Sequence, residues 1–99
     1  MDTQSLIQAI IKRLETVIDP ETGADVLRMR LVQDLQVNRD GMVAYIFQPS
    51  SPLCPIAVTL AMSIIEAIKE VPGVSGQDIK VTGYIYADEL NETLKSVVL

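Results

Sequence analysis

Apolar residues recur along this chain at a period that switches repeatedly, and that alternation limits the fold more than any single motif. From Leu6 the apolar positions are Leu6, Ile7, Ile10, Ile11, Leu14, Val17 and Ile18; later they are Ile56, Ala57, Leu60, Ala61, Ile64, Ile65 and Ile68. Both sets follow a period of 3.6, so each predicts a helix with one broad apolar face. Beyond Asp25 the period drops to two: Leu27, Met29, Leu31, Leu35 and Val37 alternate with Arg28, Arg30, Asp34 and Gln36. That spacing predicts a half-buried strand with a bulge or break. Two apolar helix faces need a partner, and a small sheet is the one on offer. The expected fold class is α+β, a two-layer α/β sandwich in α-β-β-α-β order with a small mixed sheet.

Local signals fix the expected boundaries. Asp2 or Thr3 can cap the first helix, and Pro20 disfavours helical geometry at Asp19, so the helix is expected to end there. Asp19-Pro20-Glu21-Thr22-Gly23 reads as a turn. Asn38-Arg39-Asp40-Gly41 supplies hairpin chemistry, with Gly41 able to take positive φ. The run Met42-Val43-Ala44-Tyr45-Ile46-Phe47 is apolar throughout and reads as a central strand covered on both faces. Pro49-Ser50-Ser51-Pro52-Leu53-Cys54-Pro55 is a proline-stiffened loop, with Pro55 suited to the first helical position. Pro72-Gly73 ends the second helix. A third strand follows, with Ile79, Val81, Gly83 and Ile85 on one face and Lys80, Thr82, Tyr84 and Tyr86 on the other. Asp88 would cap a short C-terminal helix carrying Leu90, Leu94 and Val97 or Val98. No repeat, linker or low-complexity segment interrupts residues 1–99, which read as a single domain.

Composition removes whole classes of chemistry. The 99 residues include no histidine and one cysteine. A histidine general base, a Cys–His nucleophile pair, an intrachain disulfide and a four-cysteine metal site are therefore excluded. With eight Lys+Arg against thirteen Asp+Glu, the net charge of −5 repels phosphate backbones, so nucleic acid is not an expected partner. No apolar run approaches the ~18 residues of a membrane span. An unpaired cysteine and a first helix broken by Gln8, Lys12, Arg13 and Glu15 suit a cytoplasmic protein.

Function is thereby concentrated around Cys54. The residue stands where a strand ends and a helix begins, so unpaired backbone N–H groups and the positive helix end would stabilise its thiolate. Ser50 and Ser51 can supply hydroxyl donors nearby, and Asp19 and Glu21 could approach from the first turn. The plain reading is that a lone cysteine packs as a small hydrophobe. A phosphatase would need an arginine six residues beyond the cysteine, where Leu60 stands. Met29, Met42 and Met62 read as core fillers and Arg28 and Arg30 as solvated. Tyr84 and Tyr86 read as ordinary strand formers, and self-association to a homodimer through a sheet edge is compatible with the pattern.

Asp19-Pro20-Glu21 after an amphipathic helix, then a hairpin, then Ser50-Ser51-Pro52-Leu53-Cys54-Pro55 opening a second helix resembles the small iron–sulfur-assembly domain family. Its members include SufT, PaaD and the eukaryotic cytosolic iron–sulfur targeting subunit. The similarity spans roughly Leu6 to Tyr86. It implies an α-β-β-α-β fold and a site that gathers the cysteine, the hydroxyls before it and the acidic turn. Matched by position, Cys54 is the family cysteine, Ser50 stands where threonine is usual, and Asp19 and Glu21 match the acidic turn. This chain departs from the family at Met29-Arg30-Leu31-Val32, where Leu-Gly-Leu-Val is usual. It departs again at Tyr84-Ile85-Tyr86-Ala87-Asp88, where a Pro-x-Trp element is usual.

Iron–sulfur clusters want about four ligands, mostly thiolates, so one thiol cannot hold one alone. The resemblance therefore implies an accessory protein or adaptor, more than an enzyme. Cys54 would be one shared ligand to a transient cluster, with assembly or client proteins as partners and no resident cofactor assigned. Two other readings stand beside it. One is a thiol-dependent redox enzyme or sensor using Cys54 as nucleophile, and the other is a non-catalytic interaction module in which Cys54 is packing.

Overall fold

A computed structural model describes residues 3–20, 22–49, 53 and 56–98, with side chains through Leu94. The element order is α1 (Thr3–Leu14), β1 (Val32–Val37), β2 (Met42–Phe47), α2 (Ala57–Lys69), β3 (Gly76–Val81) and α3 (Ala87–Val98). The expected α+β architecture holds, and the C-terminal helix covers the expected Leu90, Leu94 and Val97 or Val98.

The helices end where their chemistry changes. Helix α1 buries Leu6, Ile10 and Leu14 and stops at Leu14, short of Asp19. Thr16, Val17 and Ile18 are all β-branched, which weakens a helix and favours extended backbone. The Thr16 hydroxyl donates to the Arg13 carbonyl at 2.6 Å, and Ile18 pairs in an isolated bridge with Asp25. Helix α2 buries Ala57, Leu60, Ala61, Ile64, Ile65, Ala67 and Ile68. Each fully buried leucine or isoleucine of this kind contributes roughly 1.5–3 kcal/mol of transfer free energy. Ile56 occupies the N-cap of α2, so the helix proper starts at Ala57; Pro55 lies outside the described residues. Helix α3 opens with Asp88 and Glu89 in its first turn, where acidic groups favour the helix dipole.

The sheet order is β1-β2-β3. Strands β1 and β2 are antiparallel, and β2 and β3 run parallel through the α2 crossover, from Met42↔Gly76 to Phe47↔Val81. Two expectations are corrected. The first strand starts at Val32, because residues 25–31 form a turn in which the Asp25 Oδ1 accepts the Arg28 N–H at 2.9 Å. Arg28 and Arg30 are therefore exposed in a turn and not on a strand. A bulge between Gln33 and Gln36, with Asp34 at φ 52, supplies the irregularity expected within β1. The third strand ends at Val81; Gly83 at φ 66 turns the chain away, leaving Tyr84, Ile85 and Tyr86 beyond the sheet.

Strand β2 is central but is covered on one face. Val43, Tyr45 and Phe47 are buried against the helices, whereas Met42, Ala44 and Ile46 lie on the opposite, partly open face. On the buried side, the Tyr45 hydroxyl donates to Gln77 Oε1 at 2.8 Å, and Gln77 Nε2 donates to the Ile65 carbonyl at 2.9 Å. This chain of bonds ties β2, β3 and α2 together. Burial pushes the Tyr45 hydroxyl pKa above its ordinary value. Tyr45→Phe is expected to cost about 1–3 kcal/mol, because Gln77 Oε1 is left buried without its donor. Below the ordinary tyrosine pKa the hydroxyl is neutral in both folded and unfolded chains, so its titration has no effect there. Above it the unfolded chain ionises first, and stability falls as pH rises. Urea unfolding across alkaline pH should show that fall in the wild type and a shallower one in Tyr45→Phe.

Candidate functional site

Five chain segments converge at one end of the sheet. Because β2 and β3 are parallel, both strands finish there, while antiparallel β1 begins there, with Val32 opposite Phe47. The Gln48 N–H donates to the Leu31 carbonyl at 2.8 Å, joining the end of β2 to the 25–31 turn. The Thr82 N–H donates to the Phe47 carbonyl at 3.0 Å, bringing the segment after β3 to the same place. The side chains of Gln33 and Gln48 meet across this end at 3.2 Å, and Gln33 also donates to the Arg30 carbonyl at 2.9 Å.

The Asp19 turn reaches this end by running along α2. Arg13 and Glu70 form an ion pair near the C-terminal end of α2, while Ile18 and Val58 line a common groove near its N-terminal end. The segment from Arg13 to Ile18 thus runs antiparallel to α2, and Asp19 follows it in the chain. Asp19 is 1% exposed. Its N–H donates to the Ala24 carbonyl at 2.9 Å and its carbonyl accepts the Gly23 N–H at 2.8 Å, which closes the turn. The Thr22 hydroxyl donates to the Met29 sulfur at 2.9 Å, fastening the turn to the 25–31 segment. A carboxylate is rarely buried so fully, and the end of a helix bearing free N–H groups is a favourable neighbour for it. At that end of α2 the N-cap residue Ile56 has no polar side chain with which to cap the helix, and the first turn carries no acidic residue.

Of the residues expected at the site, Asp19 is the one whose position is described. Glu21, Ser50, Ser51 and Cys54 lie outside the described residues. Their described neighbours are Pro49, which is buried, Leu53, which is 70% exposed, and half-buried Ile56 at the head of α2. Among the described residues there is no group of three or more His, Cys, Asp or Glu that could hold a metal ion. No helix among them is long and apolar enough to cross a membrane.

Reading the sequence as strand hid two features of this end. Tyr84 and Tyr86 are not on a strand face; their rings pack edge to face with centroids 5.9 Å apart, and Ile85 and Tyr86 are exposed. The signal that could have found this was Gly83, a residue that breaks a strand as readily as it lines one. The other feature is Arg30, at φ 59. Arg30 stands where the resembled family usually has glycine, and a left-handed backbone is the physical reason for that glycine. The strain on a non-glycine residue there is about 1–2 kcal/mol, and glycine's greater unfolded freedom returns about 0.5–1 kcal/mol of it. Arg30→Gly is therefore expected to stabilise the protein by about 0.5–1 kcal/mol, raising Tm by a few degrees in thermal melts. An unchanged or lowered Tm would count against the strain.

Comparison with known proteins agrees with this fold. The chain matches the family described as "Iron-sulfur cluster assembly protein" over residues 7–81. It is 31% identical over 86 residues to an uncharacterized protein of Methanocaldococcus jannaschii, covering 87% of this chain and 90% of that one. It is 28% identical over 78 residues to the Fe-S protein maturation auxiliary factor YitW of Bacillus subtilis, covering 79% and 76%. Among solved structures, a conserved hypothetical protein from Thermotoga maritima superposes with a TM-score of 0.73 at 26% identity, covering 98% of this chain and 97% of that one. With the family's sequence pattern matched over residues 7–81, the chain belongs to the iron–sulfur cluster assembly protein family.

Proposed function

We propose that this chain assists the assembly or delivery of iron–sulfur clusters to protein clients in the cytoplasm, with Cys54 as its working thiol. The observation that supports the reading is that Asp19 is buried in a closed turn, and the segment leading into it shares a groove with α2, the helix that follows Cys54 in the chain. A thiolate entering a helix N-terminus is stabilised by the N–H groups there, and a fixed carboxylate beside it orders the surrounding donors. Ser50 and Ser51 would add hydroxyl donors, and Glu21 a second carboxylate on the acidic turn. The relative named as an Fe-S protein maturation auxiliary factor supports the same role.

The cluster in this scheme is cargo. Cys54 contributes one thiolate, and the client or the donor contributes the others, so the complex exists during transfer and dissolves after it. The direct test supplies a cluster donor and an apo iron–sulfur client under anaerobic conditions and follows recovery of client activity. Adding this chain is expected to speed recovery in proportion to its concentration. A rate indifferent to the chain, across several clients and donors, would overturn the proposal.

A further inference from the structure

The solvent side of a sheet covered on one face normally carries polar residues, and here the central strand does not follow that rule. Its open-face residues are Met42, Ala44 and Ile46, all apolar. The flanking strands are polar on the same face, with Asp34 and Gln36 on β1 and Asp78 and Lys80 on β3. All seven residues line one shallow depression. An apolar centre inside a polar rim is the layout of a protein–protein contact.

We propose that this open face is where two copies of the chain associate, related by a two-fold axis running along β2. The charges argue for a second copy. The register puts Lys80 opposite Ile46, and Asp34 sits in the bulge beside the Gln33↔Ile46 pair, so acid and base flank β2 at about the same height. A two-fold axis along β2 lays each copy's β1 over the other's β3. Lys80 of each copy then faces Asp34 of the other, and Gln36 faces Asp78, while the Met42, Ala44 and Ile46 rows stack on themselves. Sheets packed face to face in this way keep their strands roughly 30° apart.

The alternative route, pairing through a sheet edge, is obstructed on both sides. Asn91 of α3 accepts the Val81 N–H at 2.8 Å and donates to the Val81 carbonyl at 3.1 Å, occupying the outer edge of β3. The bulge at Asp34 interrupts the edge of β1. The face itself spans three strands about 4.8 Å apart and six residues of about 3.3 Å, on the order of 300 Å² per copy. That is below the ~800 Å² per partner of a stable dimer, so the association is weak and rapidly reversible. This inference stands apart from the proposed role in cluster delivery, since it rests on seven residues of β1, β2 and β3 and on none of the residues assigned to that role.

Sedimentation equilibrium of the full chain up to about 1 mM tests it. Wild type is expected to show a reversible monomer–dimer equilibrium. Lys80→Glu should weaken it roughly tenfold, because two attractive pairs become repulsive. The double variant Asp34→Lys with Lys80→Asp should recover most of that loss. Both positions are exposed, and circular dichroism confirms that each variant folds. A monomer throughout the series, a dimer indifferent to Lys80→Glu, or a double variant no better than the single would each overturn the proposal. Amide shifts at Met42, Ala44 and Ile46 that respond to an iron–sulfur client and never to concentration would assign the face to that client instead.

Discussion

Cys54→Ala is expected to fold as the wild type does and to bring client activation down to the rate seen without the chain. The expectation rests on what the sequence lacks. With no histidine and a single cysteine, no other side chain of this protein can offer iron a thiolate or an imidazole. Carboxylates are harder ligands and poor substitutes at a cluster. Loss of the thiol therefore removes the whole thiolate capacity in one step. Stability should change little, because position 54 falls between the end of β2 at Phe47 and the start of α2 at Ala57. Cys54→Ser sharpens the test by keeping size and a hydroxyl while removing sulfur; it should fail as completely. The two rival readings make other predictions. A redox sensor requires a thiol that reacts rapidly with peroxide, and its loss would abolish that reaction while leaving cluster transfer untouched. A packing role requires the thiol to resist alkylation in the folded protein and the alanine variant to lose stability while retaining activity.

Much of this architecture could be read from hydrophobic period, because period records which side of each element meets the core. The stripe of α2 is buried as its spacing implies, and the Asn38–Gly41 turn closes the hairpin with Gly41 at positive φ. The misreadings share a cause: spacing reports burial without reporting what lies on the other side. Val17 fits a helical stripe and is buried, but in extended chain, since a run of β-branched residues follows Leu14. Leu27 and Met29 pack on the core from a turn, not a strand, and Arg30 takes left-handed backbone in that turn before the ladder starts at Val32. The uniformly apolar β2 suggested cover on both faces, yet a second layer is a property of the whole chain, and among the described residues the helices cover one side. The acidic turn was legible as a motif, but the course of the chain before it along α2, where Ile18 and Val58 line one groove, is something no local pattern encodes.

The largest effect on stability is expected from Gly41→Ala, a loss of about 3 kcal/mol or more and a Tm lower by more than about 10 °C. Two independent penalties combine at this position. At φ 84 an alanine carries left-handed strain of about 1–2 kcal/mol. Its Cβ would also lie 2.2 Å from the Gly73 carbonyl oxygen, a contact that neither backbone can accept unmoved. Relief by separation is itself costly, because the Ser75 N–H donates to the Gly41 carbonyl at 2.9 Å and seats the start of β3 beside the hairpin. Moving the hairpin away would break that bond and disturb the Met42↔Gly76 pairing next to it. Gly23 provides the control. It has a similar φ of 76, but a Cβ there meets nothing within 4 Å, so Gly23→Ala should show the strain alone, about 1–2 kcal/mol. Denaturant unfolding of both variants separates the two contributions. Equal losses at the two glycines would mean that the close approach to Gly73 contributes nothing. A larger loss at Gly41 measures how firmly the turn between α2 and β3 holds the hairpin, and with it the central strand that follows Gly41.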